Sequence, residues 1–531
     1  MMKFTNYFST KATPQSEPIP GAAQVANSAG GHVWALDDWA RVDRFLVLGT
    51  EGGTYYVTER ALTRGNAKAV ATCIAADGGR VIARIVETSK TGRAANNDPA
   101  IFALAMCAKL GDDATRAAAY KALPLVCRTA THLMHFADYA QGFGGWGRGM
   151  RKAVANWFNN LPADQLAYQL VKYPSRDGWS NRDLLRLAHP RAASPSHDRL
   201  FSWVTQAALP EGAAADRALD LAVASEQVKA AVDCKAVVEL IRTSKLPREA
   251  IPTQWLVYPE VWEALLVDMP MTAMIRNLAT MTKVGLVSTM STTTQTVVER
   301  LGDNARLAKA RVHPIAVLAA LVTYKAGISA RGSATWTPVG DVVDALDGAF
   351  YASFKQLAPS GRRILLALDV SASMNGGSVS GVPGLSPRVA SAAMALVTAA
   401  TEPNHAIVAF SEALTPLAVS PRQRLDDVVR ATDALPFGGT DCSQPMVWAE
   451  RNRVDVDTFV IYTDNETWAG SVHPAQALRA YRQACGRPAK LVVVGMTSNG
   501  FSIADPNDAG MLDVVGFDTA TPSVIRDFAQ A

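Results

Sequence analysis

RILLALDVSASM (363–374) joins a run of aliphatic residues to an acid and two serines at D-x-S-x-S spacing, Asp369, Ser371 and Ser373. A run that is apolar at successive positions fills both faces of a strand, so it belongs in a sheet covered on both sides. Four further runs follow: NHAIVAF (404–410), TFVIYTD (458–464), KLVVVGM (490–496) and LDVVGF (512–517). Amphipathic stretches lie between them, among them PRVASAAMALVTAAT (387–401) and HPAQALRAYRQAC (473–485). Short buried strands alternating with helices predict a doubly wound α/β module over residues 361–531, with ligands expected beyond the carboxyl ends of its strands.

The D-x-S-x-S loop sits at such an end. Alternate side chains on an emerging loop point the same way, so Asp369, Ser371 and Ser373 offer one carboxylate and two hydroxyls to a hard cation. Thr440, in the glycine-bearing FGGTDCS, and Asp464, closing the run TFVIYTD, complete an oxygen set for a divalent metal, Mg²⁺ by preference, in an open octahedral site of the adhesion type. Helix and turn capping by Ser371, Ser373 and Asp464 is the competing account of the same residues. Three separated pieces, each at a strand end, favour the metal.

Upstream the texture changes. Residues 1–30 mix Ser, Pro, Gly and Asn without periodicity and read as an arm that is either loose or docked on the body. From 31 to 360 apolar residues recur at helical spacing between short stops, as in DPAIFALAMCAKLG (98–111) and HPIAVLAALVTYKAG (313–327). More than three hundred helical residues exceed one bundle, so stacked helix pairs of the HEAT kind are expected.

The whole chain has 531 residues, 49% hydrophobic and 19% charged, which suits packed cores rather than a disordered scaffold. Of its 52 basic and 48 acidic residues, 13 and 17 lie from Gly361 onward, leaving 39 and 31 before it, so the positive charge belongs to the helical part. Six scattered cysteines show no CxxC pair and no zinc spacing; reduced core thiols are expected. With no secretory leader and no run long enough to cross a bilayer, the expectation is a cytoplasmic protein away from membranes.

The positive charge is densest at 128–191, where nine Lys and Arg face four Asp. Arg148, Arg151 and Lys152 share one helix face at i, i+3, i+4, and Arg182, Arg186 and His189 share another at i, i+4, i+7. Between them LVKYPSRDGWSNRD carries Lys172, Tyr173, Arg176 and Trp179 across a Pro- and Gly-bearing turn. Cations with interleaved rings suit RNA, where phosphates are neutralised and unpaired bases stacked. Composition alone weighs this evenly against solvated helix faces; for Trp157, core packing is the better reading.

Several stretches together resemble the Ro autoantigen family, the TROVE-module RNA-binding proteins: LGTEGGTYYVTERAL (48–62), WGRGMRKAVANWF (146–158), DGWSNRDLLRLAHP (177–190), ARVHPIAVLAALVTYKAG (310–327), DVSASMN (369–375), FGGTDCSQPMVWA (437–449) and YTDNETWAGSVHPAQALRAYR (462–482). The resemblance covers nearly the whole chain. It implies an all-α ring of HEAT-like repeats closed by a von Willebrand A-type domain, a basic outer surface that holds a small noncoding Y RNA, and a central hole. It further implies that the hole takes single-stranded 3′ ends of misfolded or unprocessed RNA, and that a 3′-to-5′ exoribonuclease is tethered through the RNA for quality control under stress.

The family's K-x-x-x-R-x-G-W…L-x-H pattern maps onto Lys172, Arg176 and His189, and its metal residues onto Asp369, Ser371, Ser373, Thr440 and Asp464. Two positions depart from it: Pro174 stands where a second lysine is usual, and Asn181-Arg182 where a basic residue or histidine is. The resemblance therefore implies an RNA-binding protein with a divalent-metal site, working as a monomer. A nuclease would need clustered carboxylates, which the metal loops lack, and no Walker A loop or Gly-x-Ser-x-Gly elbow is present, so no enzymatic activity is expected. The rival reading is a metal-dependent protein-binding adaptor, which has no use for the cations at 148–186.

Overall fold

The computed structural model describes residues 12–49, 62, 67–94, 96–310, 312–329, 333–354, 359–376, 379, 385–421, 423–436, 438–497, 500–515 and 520–531. Most of the motif at 48–62, together with Arg311 and Phe437 of two others, lies outside the described residues.

From Asp38 to Ala352 the described chain is helical, with short 3₁₀ turns and one two-stranded hairpin. Local chemistry sets the helix limits. Asp37, Asp112, Thr129, Ser194 and Asp233 each accept a backbone amide of the first turn that follows, satisfying donors the helix itself leaves orphaned. Gly49 at φ 87° stops the helix Asp38–Leu48 in the left-handed region that an L side chain resists.

Each helix packs mainly on others one to three places along the row, and the row returns on itself. Arg44 of the first helix reaches Asp513 near the C-terminus at 2.7 Å. Lys325 and Asp344, on the last two helices of the row (Pro314–Ala326 and Gly340–Ala352), pair with Asp426 and Arg424 of the C-terminal module. His313 Nε2 meets the Arg93 carbonyl at 3.3 Å, joining early and late helices directly. One apolar core runs from Val42 to Ala222 and a second from Ala224 into the C-terminal sheet. No single described helix is long and apolar enough to cross a membrane.

Strands β1 (Gln24–Ala26) and β2 (His32–Ala35) precede the helices, and β3 (Ser175–Arg176) with β4 (Trp179–Ser180) form the hairpin among them. The sheet of the C-terminal module comprises β5 (Ile364–Asp369), β6 (His405–Phe410), β7 (Leu414–Leu417), β8 (Thr458–Thr463), β9 (Lys490–Gly495) and β11 (Met511–Val515), in the order β11-β9-β8-β5-β6-β7. All pairs are parallel except the edge pair β6–β7.

Alternation along the strands divides two cores. Ile364, Leu366, Leu368, Val460 and Tyr462 join the cluster shared with the helical part, whereas Leu365, Ala367, Phe459 and Ile461 face the helices on the other side. This is the doubly wound module expected from the five apolar runs. The edge strand β7, only four residues long and containing Pro416, carries too little pattern to be read in advance.

The described part of the N-terminal arm, from residue 12 onward, is docked. β1 pairs with β2, and β2 pairs with β10 (Phe501–Ser502), so residues 12–35 lie against the C-terminal module rather than against the helices that follow them in sequence.

Candidate metal centre and nucleic-acid interface

β5 and β8 are neighbours, and Leu368 stands opposite Tyr462, so Asp369 and Thr463 end side by side and Asp464 follows at once. Thr463 Oγ1 donates to Asp369 Oδ2 at 2.7 Å, and the Ser371 amide donates to Asp369 Oδ1 at 2.9 Å. Ser371 Oγ and Ser373 Oγ are 3.0 Å apart, and the Ser373 hydroxyl also bonds Asp464. Asp464 Oδ1 accepts the Glu466 amide at 3.0 Å. Asp369, Ser371, Ser373 and Asp464 therefore form one hydrogen-bonded group at the carboxyl ends of two central strands. Ser371 precedes a 3₁₀ turn but makes no side-chain cap bond to it, which disposes of capping as its role there.

Thr440 comes from a third loop, between the helices Leu425–Asp433 and Gln444–Arg451 rather than at a strand end as expected, and is buried like the two acids. Its carbonyl accepts Trp468 N at 2.9 Å, Ala469 N at 3.0 Å and Thr467 Oγ1 at 3.2 Å, so its loop is clipped to the one that follows Asp464. Gly439 makes this approach possible, because a Cβ there would stand 2.7 Å from Ala469 Cβ and 2.8 Å from the Trp468 ring.

Burial, and then the charge of Asp464, push the Asp369 carboxyl up to about 7; burial likewise raises Asp464. Two buried carboxylates facing each other among hydroxyls, with no nitrogen or sulfur donor in the group, match a hard divalent cation that would offset their repulsion. No cluster of three or more His, Cys, Asp or Glu suited to a metal occurs among the described residues.

The basic segment occupies another part of the fold. The helices Arg148–Asn160 and Asn181–Ala188 pack against each other, and the β3–β4 hairpin lies beside them on the helix Ala130–Gly142. Arg148, Arg151, Lys152, Arg176, Arg182, Arg186 and His189 are exposed. His189 caps its helix at φ 45° with its amide on Leu185 O.

Lys172 is half-buried, its ammonium 2.8 Å from Tyr168 Oη and over the rings of Tyr168 and Tyr173. Burial opposes its charge, but the Tyr168 hydrogen bond and neighbouring groups outweigh that and hold the ammonium above its ordinary range. Arg176 lies 3.5 Å from Asp177, which also contacts His135. The other five cations, Arg148, Arg151, Lys152, Arg182 and Arg186, pair with no carboxylate among the described residues.

Trp157 is buried, with Nε1 on the Cys127 carbonyl at 2.6 Å, and belongs to the core as expected. Trp146 and Trp179 lean on each other with ring centres 5.8 Å apart. Sequence reasoning missed three supports. Thr463 could have been found, since it directly precedes Asp464 at the strand end; Glu466 and Gln15 announce themselves only through contacts distant in sequence.

Comparison with known proteins agrees with this architecture. The TROVE domain matches residues 25–230 and 241–323, and the Ro60 vWA domain matches residues 363–529. The RNA-binding protein RO60 of Deinococcus radiodurans is 43% identical over 519 residues, 97% of each chain. That of Caenorhabditis elegans is 37% identical over 98% of this chain and 92% of its own. The crystal structure of the Deinococcus radiodurans RO (RSR) protein superimposes with a TM-score of 0.74, covering 93% of this chain and 99% of that one. A helical TROVE module and a Ro60 vWA domain, both matched in order along one chain, place this protein in the Ro60 family of RNA-binding proteins.

Proposed function

We propose that this chain is an RNA quality-control receptor that holds a structured small noncoding RNA of the Y type on the surface formed by Lys172, Arg176, His189 and the cations at 148–152 and 182–186. The observation that carries this reading is the crowding of five exposed cations, Arg148, Arg151, Lys152, Arg182 and Arg186, on two packed helices with no carboxylate partner among the described residues. Unpaired cations crowded on two packed helices repel one another, and a polyanion laid across them removes that cost while releasing its own counterions.

The ring leaves its hole for single-stranded 3′ ends of misfolded or precursor RNA, while the Y RNA tethers a 3′-to-5′ exoribonuclease that does the cutting. The receptor acts as a cytoplasmic monomer and has no catalytic residue of its own. In the α/β domain, Asp369, Ser371, Ser373, Thr440 and Asp464 would hold Mg²⁺, which would supply positive charge to an acidic group of a partner.

Competition binding tests the two RNA modes. A Y-like stem with an internal loop and a duplex with a single-stranded 3′ tail are expected to bind the purified protein together, and trimming the tail is expected to abolish only the second. Mutual displacement at a single site, or equal binding of blunt duplex, would overturn the two-mode reading.

A further inference from the structure

Gln15 has no exposure at all, an uncommon place for a long polar side chain. It is tolerated there because its amide is fully engaged. Nε2 donates to Asp441 Oδ1 at 2.7 Å and to the Val472 carbonyl at 2.8 Å, and Oε1 accepts the Thr467 hydroxyl. Its backbone amide donates to Gly470 O at 2.9 Å, and its carbonyl accepts His32 N at 2.8 Å. One arm residue thus binds the loop after Thr440 and the loop after Asp464 at once.

The rest of the arm repeats the pattern. Asn27 Nδ2 donates to Thr467 O at 2.7 Å, and the amides of Ser28 and Ala29 donate to Glu466 Oε2 at 3.0 and 3.2 Å. The fit is close: a Cβ on Gly31 would stand 1.9 Å from Thr467 O, and one on Gly470 would stand 2.2 Å from Gln15 Nε2. Thr467 is the centre of the arrangement, since its hydroxyl also reaches the Thr440 carbonyl and accepts the Cys442 amide at 3.0 Å.

We propose that the arm, residues 12–31, is a strap whose docking is coupled to cation binding, with Gln15 as the positioning residue that fixes Thr440 and Asp464 relative to each other. The inference rests on the metal reading of Asp369, Ser371, Ser373, Thr440 and Asp464. Groups that orient metal ligands from behind typically contribute about 10- to 100-fold in metal affinity. Coupling between two binding events is reciprocal, so a cation that needs the docked arm must also hold the arm down by the same factor.

The test uses the full-length chain, with Mg²⁺ affinity measured by calorimetry and arm release by limited proteolysis, with and without saturating Mg²⁺. Wild-type protein is expected to bind Mg²⁺ and to have arm cleavage slowed about tenfold by it. Gln15→Ala is expected to weaken Mg²⁺ about tenfold or more and to lose that protection. Asn27→Ala, which leaves Gln15 and Asp441 untouched, guards against a folding defect and is expected to fall between the two. Wild-type binding with unchanged affinity in Gln15→Ala and an arm already released would overturn the coupling alone. Absence of Mg²⁺ binding by wild type would overturn the metal reading and the strap together.

Discussion

Arg44, on the first helix of the row, donates through Nη2 to both oxygens of Asp513 on β11, at 2.8 and 2.7 Å, across 469 residues of chain. The guanidinium is all but sealed from solvent, at 1% side-chain exposure, and the carboxylate is 15% exposed. Both bonds leave one guanidinium nitrogen, and this charge-assisted contact between nearly buried groups ties the start of the helical row to the sheet.

Arg44→Ala is expected to destabilise the fold by about 3 kcal/mol, because it leaves a cavity and a poorly hydrated carboxylate. Arg44→Lys is expected to recover part of this, since it keeps the charge but loses the guanidinium's further donors and its flat packing. Urea unfolding with probes in both parts of the chain measures it; a change below about 0.5 kcal/mol would mean that the pair does not hold the junction.

Mg²⁺ is expected to raise the melting temperature of wild-type protein and to leave Asp369→Ala and Asp464→Asn unmoved. In chelator, Asp464→Asn should melt no lower than wild type, since it removes one of two facing buried charges. Scanning calorimetry with Mg²⁺ or chelator reads both effects, and a Mg²⁺ shift surviving in Asp369→Ala would place the cation elsewhere. Neither substitution is expected to change affinity for RNA by more than about twofold, well under 1 kcal/mol, because the acids share no element with the cationic helices.

The thiols offer an independent check on packing. Burial pushes Cys73 up to about 11 and Cys107 up to about 12, and raises Cys127 and Cys442 as well, so few thiolates are present at neutral pH. Native protein is expected to react with a thiol reagent first at the half-exposed Cys234 and Cys485, and at all six cysteines after denaturation. Fast native labelling of Cys107 or Cys127 would show that the core at 42–222 opens far more readily than its packing implies.

Much of this architecture was legible because its signals are local. The five apolar runs of the sheet, the helical spacing of 98–111 and 313–327, and the D-x-S-x-S loop all lie within a few residues of one another. What was illegible depends on contacts across the chain. Nothing near Gln15 announces that its amide ends beside Asp441, and residues 1–30, read only as an arm, leave open where the arm goes. β7 was invisible for another reason: an edge strand with a proline needs no full apolar pattern. Charge at 148–186 was visible, but the lack of carboxylate partners for five of those cations emerged only from the packed helices.

The measurement that bears most directly on the RNA receptor is the salt dependence of binding to a Y-like stem, comparing wild type with Lys172→Ala/Arg176→Ala and with Arg182→Ala/Arg186→Ala. Each lost phosphate contact is expected to reduce the log–log salt slope by about 0.7 to 0.9 and to lower affinity. Both variants are expected to show a flatter slope and a weaker complex with the fold intact. Unchanged affinity and slope in both would contradict the RNA-receptor reading and move the RNA off this surface.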